Sequence, residues 1–184
     1  MRFDGLTTAR LKLEPAARRH AAGLLPLFDN WNVVRWLTDP DWPVDAASYD
    51  AWIARAEFDN VAGRAAHAII VIDGAPAGVV DINQRRGARS LGYWLAEPWW
   101  GKGVMSEAAD ALLRWFFAGH ADLFVISGAV EGNRASLRVQ EKLGFIVVGE
   151  SAVPSRPLQR RAPHVDTLLG RERWRRLRQR SAAA

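Results

Sequence analysis

After a short alternating stretch, T-A-R-L-K-L at residues 8–13, apolar residues recur at helical spacing up to about position 60 and then bunch into β-branched runs. The alternation predicts a first strand. Pro15 then opens a helix over 16–28, in which Ala21, Leu24, Leu25 and Phe28 share one face. Residues 32–37 (N-V-V-R-W-L) read as one or two further helical turns, stopped by Asp39-Pro40. A third helix is expected over 45–58, with Ala47, Trp52, Ile53 and Ala56 turned inward.

From residue 66 the period is that of strands. A-H-A-I-I-V-I at 66–72 meets Asp73-Gly74, a strong hairpin signal, and A-G-V-V-D-I-N at 77–83 returns. The turn Arg85-Arg86-Gly87 leads into S-L-G-Y-W-L at 90–95, which completes an antiparallel meander. Next come Pro98-Trp99-Trp100-Gly101-Lys102-Gly103, a helix over 104–118 and a strand over 124–130, a βαβ unit whose two strands should be parallel. Asn133 caps a further helix that Gly144 closes, and a strand resumes at 145–149. Residues 154–163 read as a polar loop before a last strand at 164–169. The expected fold class is α+β: one domain over 1–170 with a mixed, mostly antiparallel sheet of six or seven strands flanked by helices, then a basic C-terminal tail at 171–184.

Composition narrows the chemistry. The chain has 184 residues, 49% of them hydrophobic, enough for one core but not for two domains. It has no cysteine, which excludes disulfides, thiolate metal sites and a thiol nucleophile. The net charge of +5 is concentrated at 171–180, where six arginines surround Trp174 and only Glu172 opposes them. The rest is neutral, so nucleic-acid binding is expected only through this tail, whose plainer reading is a solvated arginine-rich end. Arginine outnumbers lysine 22 to 3 along the whole chain, which weakens any special meaning of that run. No stretch approaches a membrane span, and residues 1–6 lack a signal-peptide core, so the expected location is cytoplasmic. The four histidines, at 20, 67, 120 and 164, share no metal-ligand spacing, and no metal is expected.

Gly101-Lys102-Gly103 lies between a strand and a helix, where backbone N–H groups and the helix dipole receive phosphate. A Walker loop fails, because Ala96 and Gly103 stand where glycine and a hydroxyl residue are required. A dinucleotide fingerprint fails at Ser106, and the preceding meander spoils a Rossmann order. Taken alone, the loop is equally an ordinary strand-to-helix turn.

It is one of three spaced motifs. Gly92-Tyr93-Trp94-Leu95, then Trp100-Gly101-Lys102-Gly103-Val104-Met105-Ser106-Glu107-Ala108, then Asn133-Arg134-Ala135-Ser136 with Lys142-Leu143-Gly144-Phe145, closely resemble the GNAT N-acetyltransferase superfamily. The G-Y-W-L strand and W-G-K-G loop look like its RimJ/RimL branch, which acetylates ribosomal-protein N-termini. The resemblance covers most of the chain and implies acetyl-CoA as cosubstrate. Its pyrophosphate would lie on the amides of Gly101, Lys102, Gly103, Val104, Met105 and Ser106. Trp100 and Met105 depart from the superfamily's general Q/R-x-x-G-x-G/A pattern, Met105 replacing a residue small enough for closest approach. The resemblance also implies that the strand ending in Tyr93, Trp94 and Leu95 splays from its parallel neighbour and offers backbone groups to the pantetheine arm and the thioester oxygen.

Transfer to an amine requires a proton removed from nitrogen and one given to the leaving thiolate. Many relatives use a Tyr seven residues after the motif's Asn as donor, but that position is Gln140 here. Ser136, one helical turn beyond Asn133, is the expected donor, as in RimL-like relatives, and Asn133 would bind CoA or cap the helix. Candidates for the base are Asp81, Glu97, Glu131 or a chain of waters. No nucleophile for an acyl-enzyme is evident, so direct transfer is expected. Trp31, Trp36 and Trp42, with Asp81 and Tyr93, are candidates for the acceptor side, and Arg156, Arg160 and Arg161 for attraction of an acidic acceptor. The acceptor is an amine on a protein N-terminus or a small molecule. A CoA-binding module without catalysis is the alternative, and a homodimer fits the family.

Overall fold

The computed structural model describes residues 2–85 and 87–182. Its eight strands are β1 (Leu6–Thr7), β2 (Lys12–Pro15), β3 (Ala66–Ile72), β4 (Ala75–Arg85), β5 (Ala88–Leu95), β6 (Phe124–Val130), β7 (Ile146–Ser155) and β8 (Arg160–Gly170). They form one sheet in the order β1-β2-β3-β4-β5-β6-β8-β7, antiparallel throughout except where β5 meets β6. The helices are α1 (Ala21–Phe28), α2 (Trp31–Val34), α3 (Ala46–Val61), α4 (Val104–Gly119), α5 (Arg134–Leu143) and α6 (Arg171–Ala182). The fold class is α+β, as expected, with one more strand than the upper count.

The strongest local signals fold as their residues dictate. All seven residues of β3 are buried, because the strand lies between helices on both faces. Asp73 (φ 51°) and Gly74 (φ 81°) both take the left-handed conformation, so the two-residue turn matches the twist of β3 and β4. α4 buries Leu112, Leu113, Phe116 and Phe117 against β3–β6, each burial worth roughly 1.5–3 kcal/mol. α5 lies on the same face, with Leu143 in the same cluster. The opposite face carries α1–α3, which pack Leu24, Phe28, Tyr49 and Ile53 against Ile69, Val71, Val79 and Trp94. Strand alternation therefore assigns every residue near β5 and β6 to a face: Tyr93 and Thr167 toward α4 and α5, and Asp81, Gly92, Trp94, Gly128, His164 and Asp166 toward the other.

Four expectations are corrected. The T-A-R-L-K-L stretch is not one strand: Thr8 N–H donates to Leu11 O, folding β1 back on β2 as a hairpin. The helix expected from 16 begins only at Ala21, because Lys12–Pro15 pairs with β3 and a 3₁₀ turn at Arg18–His20 intervenes. The polar loop expected at 154–163 is mostly strand, with β7 and β8 joined by a tight connection at 156–159. Pro154 is tolerated because β7 is the sheet edge, and Pro163 because it lies just past the last β6 partner of β8.

The fourth correction concerns the arginine-rich end. Residues 171–182 form α6, docked on the domain rather than solvated. The Arg171 guanidinium donates to the carbonyls of Phe117 (2.6 Å), Asp122 (2.9 Å) and His120, so it caps the end of α4, where helical carbonyls lack partners. Arg173 donates to Gly144 O at 2.7 Å, Arg178 pairs with Asp110, and the Trp174 ring sits 5.1 Å from that of Phe117. Arg175 and Arg176 are exposed.

Candidate active site

β5 and β6 pair at a single position, Ser90 with Ile126. Beyond it β5 follows β4 to Leu95 while β6 follows β8 to Val130, so the two parallel strands splay into a V. Ser127 Oγ donates to Leu91 O at 3.0 Å and closes the bottom of the gap. Ala96 N–H bonds Ala77 O on the β4 side, so by alternation the N–H groups of Tyr93 and Leu95 point into the gap, whereas that of Trp94 points to β4. Of the three residues expected to lend backbone groups there, Tyr93 and Leu95 turn their N–H groups into the gap and Trp94 does not. The Trp94 indole is buried on the α1–α3 face, 4.9 Å from the Phe28 ring.

The loop leaving β5 aims at the same gap. Gly101 (φ 73°) and Gly103 (φ 75°) adopt a conformation that glycine alone takes at no cost. No side chain caps α4, and a Cβ on Gly101 would meet nothing within 4 Å, so the amides of Val104, Met105 and Ser106 stand open to an anion. Met105 is buried in the α4 core cluster, so its bulk turns away from the loop and leaves its amide accessible. Trp100 Nε1 donates to Leu95 O at 2.7 Å, tying loop to strand end, and Lys102 Nζ lies 5.0 Å above the Trp99 ring.

Sequence reasoning missed what holds this loop. Arg10, at the tip of the β1–β2 hairpin, donates from Nε to Glu107 Oε2 at 2.7 Å and from Nη1 to Lys102 O at 3.1 Å. Thr8 Oγ1 donates to Glu107 Oε1 at 2.6 Å. Burial opposes the charge on Glu107, but the bonds from Thr8 and Arg10 outweigh it and hold the carboxyl below its ordinary range. The hairpin thus pins the loop to the first turn of α4 through an Arg10–Glu107 ion pair.

Across the V, Asn133 Oδ1 accepts from Ser136 N–H at 3.1 Å and caps α5. Ser136 Oγ lies 2.9 Å from Tyr93 OH, and Gln140 Nε2 donates to Ser136 Oγ (3.1 Å), Tyr93 OH (3.3 Å) and Gly128 O (3.0 Å). Thr167 Oγ1 donates to Gln140 Oε1 at 2.6 Å. Burial pushes the Tyr93 phenol up, its bonds to Ser136 and Gln140 opposing this in part. The network joins β5, α5, β6 and β8 around one hydroxyl pair, and Gln140 holds that pair from the position where the sequence lacks a tyrosine.

The base candidates separate. Glu97 accepts from Asn30 Nδ2 (2.7 Å) and Asn32 Nδ2 (3.1 Å), a structural clamp. Glu131 is exposed. Asp81 is 7% exposed and accepts from Asn83 Nδ2 at 2.7 Å. α2 bridges the V on the α1–α3 face: Asn30 and Asn32 reach Glu97 beyond β5, and the Trp36 ring lies 3.8 Å from where a Cβ on Gly132 would be, beyond β6. Trp36 is thus at the mouth of the gap. The Trp31 ring packs tilted against that of Trp42, centroids 5.4 Å apart, and remains 37% exposed. Arg156 pairs with Asp41, and Arg161 with Ala152 O. Among the described residues no group of three or more His, Cys, Asp or Glu is arranged to hold a metal.

This architecture has known counterparts. The family model described as acetyltransferase (GNAT) domain matches residues 10–146. YdaF of Bacillus subtilis (strain 168), a candidate ribosomal N-acetyltransferase by name, is 27% identical over 150 residues, covering 78% of this chain and 80% of its own. The structure of RimL, the ribosomal L7/L12 α-N-protein acetyltransferase, with coenzyme A superposes with a TM-score of 0.78 at 20% identity, over 90% of this chain and 96% of that one. The microcin C7 self-immunity acetyltransferase MccE, with acetyl-CoA and AMP, gives 0.77 at 18% identity, over 89% and 93%. A splayed parallel pair, an uncapped helix start beside it and the match over residues 10–146 agree: the chain belongs to the GNAT acetyltransferase family and is an N-acetyltransferase that uses acetyl-CoA as cosubstrate.

Proposed function

We propose that the acceptor is the N-terminal α-amine of a protein, a ribosomal protein foremost, and that the reaction takes place in the cytoplasm. One observation carries this reading: at the closed end of the V, the acceptor face of β6 and β7 leaves large apolar side chains exposed. Phe124 and Ile146, at or below the level of the Ser90–Ile126 pair, and Val148 in the adjoining bulge are 42%, 44% and 56% exposed, giving a polypeptide an apolar surface at the base of the V. The likeness to YdaF and RimL supports the same acceptor class. Among the described residues no helix is long and apolar enough to cross a membrane.

In this reading the amides of Val104, Met105 and Ser106 hold the pyrophosphate, with Gly101, Lys102 and Gly103 shaping the loop. The Tyr93 N–H, the first past the last β5–β6 pair, stabilises the thioester oxygen as it gains charge. Ser136 donates a proton to the departing thiolate, and the adjoining Tyr93 hydroxyl restores it. Asp81 attracts the acceptor ammonium, and Trp36 flanks it.

The test offers acetyl-CoA with peptides of different N-terminal residues and with small amines, reading thiol release and product mass. Acetylation of peptide α-amines is expected, and acetylation of small amines alone would overturn the acceptor assignment. Ser136→Ala should lower kcat by at least about tenfold with acetyl-CoA affinity kept, and unchanged turnover would remove Ser136 as the acid.

A further inference from the structure

Each strand flanking the V carries a glycine two residues past the last paired position. Gly92 follows Ser90 and Gly128 follows Ile126, so the parallel register sets the two opposite each other at the first same-face position of the gap. Over each leans an ionisable side chain from the next strand out. A Cβ on Gly92 would lie 3.2 Å from both carboxylate oxygens of Asp81. A Cβ on Gly128 would collide with Cε1 of His164 and lie 3.0 Å from its Nε2. Because Gly128 has no side chain, the imidazole reaches from β8 diagonally across β6 toward the gap.

His164 is held there by Asp166, whose Oδ1 lies 2.9 Å from Nδ1. This carboxylate fixes the proton on Nδ1 and leaves Nε2 as the acceptor atom. Nε2 makes no hydrogen bond among the described residues. The cross-strand neighbour of His164 on β7, Ser151, has a buried Oγ with no partner among them either. The ring is on the α1–α3 face, opposite Ser136 and Tyr93.

We propose that His164, oriented by Asp166, is the general base that takes the proton from the acceptor amine. Nε2 accepts one proton from the ammonium and passes it to solvent. The freed lone pair forms the C–N bond at the thioester carbonyl carbon, and the C–S bond breaks. Nε2 takes the second proton from nitrogen while Ser136 protonates the thiolate; Nε2 then sheds that proton to solvent and the Ser136–Tyr93 pair regains one from solvent, so each turnover releases one proton net. Other ionisable groups near the imidazole in register are Asp166 on its own strand, Glu131 just past β6 and Asp81 across the gap; Glu150 on β7 pairs with Val165 and lies on the opposite face, and β6 itself has none. The assignment rests on acetyl transfer to an amine, whichever amine that is.

The test compares wild type with His164→Gln and Asp166→Asn in the full chain, after matching their thermal unfolding. Probes are peptides beginning with Ala or Ser and, without acceptor, the slow hydrolysis of acetyl-CoA, in which water replaces the amine. Failure of peptide acetylation with hydrolysis intact would count against the acceptor assignment and leave the base assignment measurable. His164→Gln should lower kcat/KM at neutral pH by about 10²-fold or more with acetyl-CoA Kd unchanged, a loss that shrinks as pH rises and the amine sheds its own proton. Asp166→Asn should give a smaller loss. Rates within about threefold of wild type, or a loss that is the same at every pH, would overturn the proposal.

Discussion

Replacing Gln140 by Leu tests whether its amide is the joint of the site. The side chain is 1% exposed, and its loss strands two groups: the Thr167 hydroxyl, which donates to Oε1 at 2.6 Å, and the Gly128 carbonyl, which accepts from Nε2 at 3.0 Å on the side that β5 has left. Each orphaned buried group costs about 1–3 kcal/mol, so Gln140→Leu should cost about 2–5 kcal/mol. Thr167→Val alone strands only Oε1 and should cost about 1–2 kcal/mol. The double variant leaves only the carbonyl unpaired, so its cost should fall short of the sum of the two single costs by about 2–5 kcal/mol, the penalties of the Thr167 hydroxyl and of Oε1 together. Urea unfolding of the four proteins reads these differences directly. In the folded fraction kcat should fall about tenfold, a minor part of the 10²–10⁴ that acid–base groups supply, because Ser136 and Tyr93 lose their shared donor. Additivity within about 0.5 kcal/mol, or a Gln140→Leu cost below that value, would refute the reasoning.

Three further outcomes are expected. Glu107 titrates below its ordinary range in the fold, so its contribution to stability is complete above the unfolded-state value and is lost as pH falls through the folded one; acid unfolding should move to higher pH in the wild type than in Glu107→Gln, relative to each protein's neutral stability. Gly103→Ala forces a left-handed residue at φ 75° and should cost about 1–2 kcal/mol in melting experiments while raising the KM for acetyl-CoA. Arg171→Ala uncaps α4 and should destabilise the domain by about 2–3 kcal/mol in urea, whereas a change under about 0.5 kcal/mol would restore the solvated-tail reading.

The parts of the fold legible from sequence are those whose cause is local. β3 announces itself by β-branched residues against Asp-Gly, and α5 by Asn133 at one end and Gly144 at the other. T-A-R-L-K-L misleads because two hairpin arms alternate as one strand does, and its turn contains no glycine or proline. Pro154 and Pro163 suggest a loop only until edge position and ladder end are known. The same limit applies to the site. Ser136, Asn133 and the glycine loop lie within contiguous motifs. Arg10 and His164 come from segments more than 90 and 30 residues from the groups they meet, Glu107 and Gly128, and only strand register brings them there.

The V between β5 and β6 has a kinetic consequence. With Ser136 as the proposed acid and His164 as the proposed base, the thiol product would face α4 and α5 and the acceptor α1–α3. Each product therefore departs through its own door, and neither exit needs the other to clear first. Product-inhibition patterns should show release without a compulsory order, and a molecule joining an acceptor mimic to CoA would span both doors and compete with both substrates at once.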